Sequence, residues 1–142
     1  MSDVHVKRTA GATLMPLFLV EDARGCLSGG EFPQHLPFSP ARYFVVFDVP
    51  PGQVRGQHAH RQCRQFFIPL GGSIRLTVDD GSGSEDIVLD RPDIGLHVPA
   101  MIWTKLYDFS PGATLLVLAS DPYDPADYIT KYDEFRALVR AC

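Results

Sequence analysis

Two histidines, His58 and His60, are separated by a single residue in a segment that is rich in polar groups. On a β-strand, side chains two residues apart point to the same face, so both imidazoles would face the same way. Imidazole has a reference pKa of about 6.5, near working pH, which suits a general acid and a general base. An apolar core would not accept so many polar groups, because each needs a hydrogen-bond partner when it is buried. The pair therefore indicates proton-transfer chemistry on one face of a strand.

The rest of the chain supplies the strands that would position this pair. Ile74, Leu76 and Val78 alternate with Arg75 and Thr77, which is the period-two pattern of a strand with one buried face. A turn at residues 79–83 then predicts a hairpin. Further short apolar runs, at residues 17–20, 43–49, 65–70, 87–89, 96–98 and 114–119, are separated by glycine and proline. Many short strands with frequent turns predict an all-β sandwich or barrel.

Only the C-terminus is predicted to be helical. Asp124 is a suitable N-cap and Pro125 suits the first helical position, so we expect a helix over about residues 126–139. A stripe of apolar side chains at helical spacing predicts that this helix packs against the β-structure; its members are Tyr128, Tyr132, Phe135 and Leu138.

Length and composition limit the class of protein. The 142 residues predict one domain, residues 1–142, and the 45% hydrophobic and 21% charged content is that of a globular protein. A net charge of −4 argues against nucleic acid as a partner. No apolar run approaches the ~20 residues of a membrane helix. Three scattered cysteines, Cys26, Cys63 and Cys142, form neither a disulfide framework nor a zinc motif, which favours the cytoplasm.

The spacing around the pair resembles the first signature of the cupin superfamily. Gly52, His58, His60, position 65 and Gly72 all fall at the signature's spacing. Metal-binding cupins carry glutamate where this chain has Gln65, and a histidine of the second signature is replaced by Thr104. Tightly held iron, manganese or zinc needs at least three ligands of the histidine and carboxylate type. We therefore expect no metal, which leaves both imidazoles available for proton transfer.

A more specific resemblance covers almost the whole chain. The segments at residues 55–61, 76–81, 95–99, 102–103, 119–124 and 127–135 are similar to those of the sugar-nucleotide 3,4-ketoisomerases, the WxcM-like cupins. This resemblance implies a small jelly-roll-like β-barrel that forms homodimers by exchanging an N-terminal strand. It also implies dTDP-4-keto-6-deoxyglucose as the substrate and a dTDP-3-keto-6-deoxyhexose as the product, made without a cofactor.

The resemblance implies roles for individual residues. His58 would be the base or proton shuttle, and His60 its acid partner or orienter. The other predicted site residues would bind substrate: Arg24, Arg55 and Arg75 the diphosphate, Gln65 a developing oxyanion, and Trp103 the thymine or the lumen wall. Thr104 is also predicted to bind substrate, at the mouth of the lumen, where relatives often carry histidine or arginine. That difference leaves the configuration of the product at C4 open.

Two other functions fit the same sequence. The chain could be a non-catalytic cupin that binds a sugar nucleotide, or a metal-dependent cupin enzyme. Exchange of substrate hydrogen with solvent would separate an isomerase from a binder. Stoichiometric iron or manganese would favour the metal-dependent enzyme.

Overall fold

Two antiparallel sheets and a separate hairpin make up the fold of the described residues. The computed structural model describes residues 7–141, with side chains from residue 10 onward, so Cys142 lies outside the described residues. The strands are β1 (Lys7–Thr9), β2 (Ala12–Pro16), β3 (Phe18–Asp22), β4 (Gly25–Gly29), β5 (Arg42–Phe47), β6 (Arg55–His60), β7 (Gln65–Gly71), β8 (Ile74–Asp79), β9 (Ser84–Leu89), β10 (Ile94–Val98), β11 (Trp103–Tyr107), β12 (Thr114–Ala119) and β13 (Tyr128–Ile129). The all-β class predicted from the sequence is confirmed.

The sheets face each other without joining into a closed barrel. One has the order β1-β2-β10-β7-β12-β5 and the other has the order β13-β6-β11-β8-β9, while β3 pairs with β4 in a two-stranded sheet. The inward-facing residues of both sheets form the main core, which includes Phe67, Leu76, Leu96 and Leu115. This alternation buries Ile74, Leu76 and Val78 and leaves Arg75 exposed, as predicted. The predicted turn joins β8 to β9, whose register ends at the pair Asp79 and Ser84.

The C-terminal helix is shorter than predicted and begins later. Residues Pro125–Asp127 form one turn of 3-10 helix, and the α-helix, α1, spans Tyr132–Arg140. Asp124 does act as a cap, because its carboxylate accepts a hydrogen bond of 3.0 Å from the backbone N–H of Ala126. Helix formation stops after this turn because Tyr128 and Ile129 pair with His60 and Ala59 as strand β13.

The segment after the 3-10 turn closes one end of the molecule over the histidine strand. Phe135 of α1 is fully buried and packs with Ala59 and Ile129. Tyr132 donates a hydrogen bond of 2.6 Å to Asp79, which ties the start of α1 to the end of β8. Within the described residues, no helix combines the length and apolar character needed to cross a membrane.

Candidate active site

A small cleft lies between the sheets, at the end where β5 faces β6. Its volume is about 70 Å³ and its polar lining comes from Arg55, His58, Gln65 and Thr104. Gln65 and Thr104 are only 4% and 3% exposed, so their polar groups belong to the protein interior. The apolar part of the lining is Phe44, Val46, Phe67, Leu106 and Val117. Four residues that the sequence predicted as site residues are thus brought together by three strands.

The two histidines take different positions around the cleft. His58 lines it, whereas His60 is only 5% exposed and lies behind His58, with 5.0 Å between the ring centroids. Tyr128 packs against both rings, at 4.9 Å from His58 and 4.4 Å from His60. The three rings form a wall that holds both imidazoles in one orientation.

The hydrogen bonds of the pair determine the tautomer of each ring. Nδ1 of His58 lies 3.1 Å from the carbonyl oxygen of Gly56, and Nδ1 of His60 lies 2.9 Å from Asp127 Oδ2. A carbonyl and an ionised carboxylate only accept hydrogen bonds, so the hydrogen is on Nδ1 in both rings. In the neutral state each Nε2 then carries a free lone pair. Nε2 of His60 is buried and has no partner in the described part of the chain, which makes it an acceptor that a ligand can satisfy.

Both imidazoles favour the neutral state more than free histidine does. Burial lowers the pKa of His58, and the charge of a protonated His60 lowers it further, while the hydrogen bond to Gly56 raises it in part. Burial also lowers the pKa of His60 and outweighs the opposite effect of the Asp127 carboxylate. At neutral pH the pair is therefore mainly uncharged, and His58 can accept a proton.

A bulge in β6 sets the direction of His58. Gly56 has φ +83 and Gln57 has φ +57, and the pairing of β6 with β11 shifts register at Thr104 and Lys105. A left-handed residue next to a glycine, opposite a register shift, is a β-bulge, and bulges redirect side chains near functional sites. The bulge brings the Gly56 carbonyl to Nδ1 of His58 and places His58 opposite Thr104.

Replacing Gly56 with alanine should reduce both stability and turnover. A Cβ there would lie 3.2 Å from the Thr104 carbonyl oxygen, and the positive φ strains any L-residue. We expect a loss of roughly 1–2 kcal/mol in the free energy of unfolding, measured by urea titration, together with a lower kcat. Gly52→Ala is the matched control, because Gly52 has φ +82 but no atom within 4 Å of its Cβ position. An equal effect of both variants on kcat would contradict a specific role for the bulge.

Three of the predicted substrate-binding residues lie away from the cleft. Arg24 is at the tip of the β3–β4 hairpin with its side chain 90% exposed, and it pairs with Asp22 at 2.7 Å. Arg75 is exposed on the outer face of β8, 3.7 Å from Asp108. Trp103 packs against Tyr132 and Phe135 of α1, with ring centroids 5.3 and 5.7 Å away. Of the three arginines predicted to bind the diphosphate, Arg55 is therefore the one that lines the cleft.

The sequence predicted no role in the site for Asp127 or Tyr128. Both were expected within a helix, where Tyr128 would have packed against the sheet. The available signal was the run of tyrosine and isoleucine, residues that favour strands, directly after a proline-initiated turn. This signal predicts that the helix ends before Tyr128. Tyr128 and Ile129 would then be expected to pair with a neighbouring strand, which brings Asp127 close to that strand.

The residues of the cleft do not fit the metal of metal-binding cupins. Beside His58, the cleft offers an amide at Gln65 and a hydroxyl at Thr104, which are poor ligands for iron, manganese or zinc. His60, Cys63 and Asp127 do lie together, with functional atoms within 4.8 Å of one another. There the imidazole and two backbone N–H groups already donate to the carboxylate, so these residues form a hydrogen-bonded network.

Two facing antiparallel sheets with a histidine-bearing cleft between them form a cupin-like fold. Comparison with known families narrows this class. The family model described as "FdtA: WxcM-like, C-terminal" matches residues 10–140. The chain belongs to this family.

Characterised relatives and solved structures resemble the chain over most of its length. TDP-4-oxo-6-deoxy-alpha-D-glucose-3,4-oxoisomerase of Aneurinibacillus thermoaerophilus is 41% identical over 118 residues, which are 83% of this chain and 85% of that protein. A 3,4-ketoisomerase from Helicobacter canadensis superposes with a TM-score of 0.88 at 36% identity, covering 93% of this chain and 99% of the other. A mutant of the 3,4-ketoisomerase QdtA from Thermoanaerobacterium thermosaccharolyticum, in complex with TDP-4-keto-6-deoxyglucose, has a TM-score of 0.90 at 29% identity, covering 94% and 97%.

Proposed function

We propose that the protein is a 3,4-ketoisomerase that converts dTDP-4-keto-6-deoxyglucose to a dTDP-3-keto-6-deoxyhexose without a metal or organic cofactor. The observation that carries the proposal is a neutral His58 lining the cleft, with its tautomer fixed by Gly56, in a chain whose relatives are 3,4-ketoisomerases. A sugar ring bound beside His58 would present the C3 hydrogen to its free Nε2.

The proposed reaction moves the ketone from C4 to C3 through an enediol. His58 takes the proton from C3, and His60, in its protonated form, supplies the proton that O4 receives as the acid partner. His58 then gives its proton to C4 while the O3 hydroxyl gives its proton to His60, which restores both rings and leaves a ketone at C3. The buried polar groups of Gln65 and Thr104 face the same cleft, and Gln65 can donate to the developing oxyanion.

We place the diphosphate at Arg55, because this residue borders two cavities. It lines the cleft beside His58 and also a neighbouring cavity of about 250 Å³ that includes Phe47, Gln53 and Val54. A guanidinium between them can bind phosphate oxygens in a bidentate manner, with the sugar on one side and the nucleoside on the other.

The test of this function is the fate of the C3 hydrogen. Purified protein is incubated with dTDP-4-keto-6-deoxyglucose in deuterated water, and product and recovered substrate are followed by NMR, with an aminotransferase to trap an unstable ketone. We expect a 3-keto product that carries solvent deuterium at C4. Substrate that binds and keeps its C3 hydrogen would identify a non-catalytic binder instead.

We also propose that the protein works in the cytoplasm, where a buried free thiol such as Cys63 stays reduced. We further propose that it is a homodimer. The outer face of the six-stranded sheet is apolar and exposed at Tyr43, Val45, Phe47 and Leu70. It borders a groove of about 680 Å³ whose lining includes six leucines. Contiguous apolar surface of this kind is typical of an association surface.

Introducing a charge on this face should prevent association. We expect Val45→Asp to be a monomer in light-scattering chromatography at concentrations where the wild-type protein is a dimer. Val88→Asp is the matched control, since Val88 is 48% exposed on the other sheet and Val45 is 37% exposed. A wild-type monomer, or a dimer that persists in Val45→Asp, would exclude this surface.

A further inference from the structure

The carboxylate of Asp127 is held in place from several directions. His60 Nδ1 donates to Oδ2 at 2.9 Å, the backbone N–H of Gln62 donates to Oδ1 at 2.7 Å, and that of Cys63 donates to Oδ2 at 3.3 Å. The backbone of the same residue is also fixed, because Arg61 N donates to its carbonyl oxygen at 2.8 Å. Since both oxygens are engaged, the carboxylate cannot rotate away from the imidazole.

The two histidines therefore differ in the charge of their partner. Nδ1 of His58 meets the neutral carbonyl of Gly56, whereas Nδ1 of His60 meets a carboxylate. A hydrogen bond whose donor or acceptor is ionised is roughly twice as strong as one between neutral groups. A proton added to the pair is consequently stabilised more on His60 than on His58. Repulsion between the rings then disfavours a second proton.

The other charged groups around His60 do not reverse this asymmetry. Asp121 raises the pKa of His60 and Arg42 lowers it, both through the electrostatic field. Arg42 donates to the backbone carbonyl of Asp121, so these opposite charges lie near each other and partly cancel. The remaining titratable neighbours are Tyr128, whose ring packs on both histidines, and the buried thiol of Cys63.

We propose that Asp127 is the positioning residue that divides the work of the pair: it makes His60 the ring that holds the proton and keeps His58 neutral. The consequence for catalysis is that His58 is free to act as the base and His60 as the acid, and this consequence rests on the proposed function. Asp127 acts through His60 and does not itself touch the substrate. The C-terminal segment that sequence reasoning treated as a packing helix thereby becomes part of the site.

The direct test is the order in which the two rings take up a proton. Nitrogen-15 NMR of the imidazoles, in protein without substrate, follows each ring as the pH is lowered. We expect His60 to bind the first proton in the wild-type protein and to hold its hydrogen on Nδ1 when neutral. In Asp127→Asn the charge is lost while an acceptor of the same shape remains, so His60 should lose this priority. First protonation at His58 in the wild-type protein would overturn the inference, even if no variant folds.

The pH dependence of turnover is a second measurement. It would not change if Asp127 had only a structural role. If the active form has a protonated His60, the alkaline limb of kcat/KM reports the pKa of that ring. Removing the carboxylate lowers this pKa, so in Asp127→Asn the limb should move to lower pH and kcat/KM at pH 7 should fall at least about tenfold. A limb that stays in place would contradict the role of Asp127.

Asp124→Asn is the matched control, because Asp124 caps the same 3-10 turn and its carboxylate bonds Ala126. We expect the control to leave both the NMR order and the pH profile unchanged. The NMR result does not depend on turnover, so the inference and the proposed function fail separately. Correct protonation order without isomerisation would reject the function alone.

Discussion

Replacing His58 with asparagine should lower kcat for the 4-keto sugar by about 10²–10⁴-fold, the usual contribution of a general acid or base. His58 is the histidine that lines the cleft, and its free Nε2 is the acceptor available to a C3 hydrogen. Asparagine is similar in size and polarity but cannot take up a proton at neutral pH. Solvent deuterium should therefore no longer enter the product, while the affinity for TDP, measured by calorimetry, stays the same.

His97→Asn provides the comparison for this variant. His97 is half-buried on β10, near Phe38 and on the other face of the six-stranded sheet from the cleft. Burial lowers its pKa too, so it resembles His58 in environment but not in location. We expect its variant to keep full turnover. Unchanged turnover in His58→Asn, or equal losses in both variants, would refute the assignment of His58 as the base.

The strands that carry the site could be predicted because their signals are local. Alternation at residues 74–78 indicated which side chains are buried, and the spacing of His58 and His60 placed both on one face. When two such sheets pack face to face, the cleft lies between them. Arg55, Gln65 and Thr104 were expected beside the histidines from the family pattern, and all three line the same cleft as His58. That they bind substrate stays a prediction.

The errors came from contacts between distant parts of the chain. The cap and proline at Asp124 and Pro125 correctly marked a helical start, but nothing local shows that Tyr128 and Ile129 will pair with β6. That pairing decides the length of the helix and brings Asp127 to His60. Likewise, Trp103 lies on a site strand, but its packing against α1 depends on where that helix begins.

The largest effect on stability is expected at Gly95, where alanine should lower the free energy of unfolding by about 3 kcal/mol. A Cβ at this position would collide with the ring of Phe66, which is fully buried beside Leu17 and Phe38. The aromatic ring covers the glycine from the adjacent strand β7, and a ring in a packed cluster cannot move away without opening a cavity. The melting temperature should fall by roughly 10 °C.

Two further variants separate this clash from the general cost of changing a glycine. Gly71→Ala, in the same sheet, should have almost no effect, since its Cβ would meet no atom within 4 Å. Combining Gly95→Ala with Phe66→Leu should restore part of the stability, so the double variant should be more stable than the sum of the single losses predicts. Strict additivity would show that the loss has another origin. Because Phe66 and Gly95 lie on the face of the sheet opposite the cleft, the folded fraction of each variant should keep the wild-type kcat, which separates the packing of this face from the chemistry of the other.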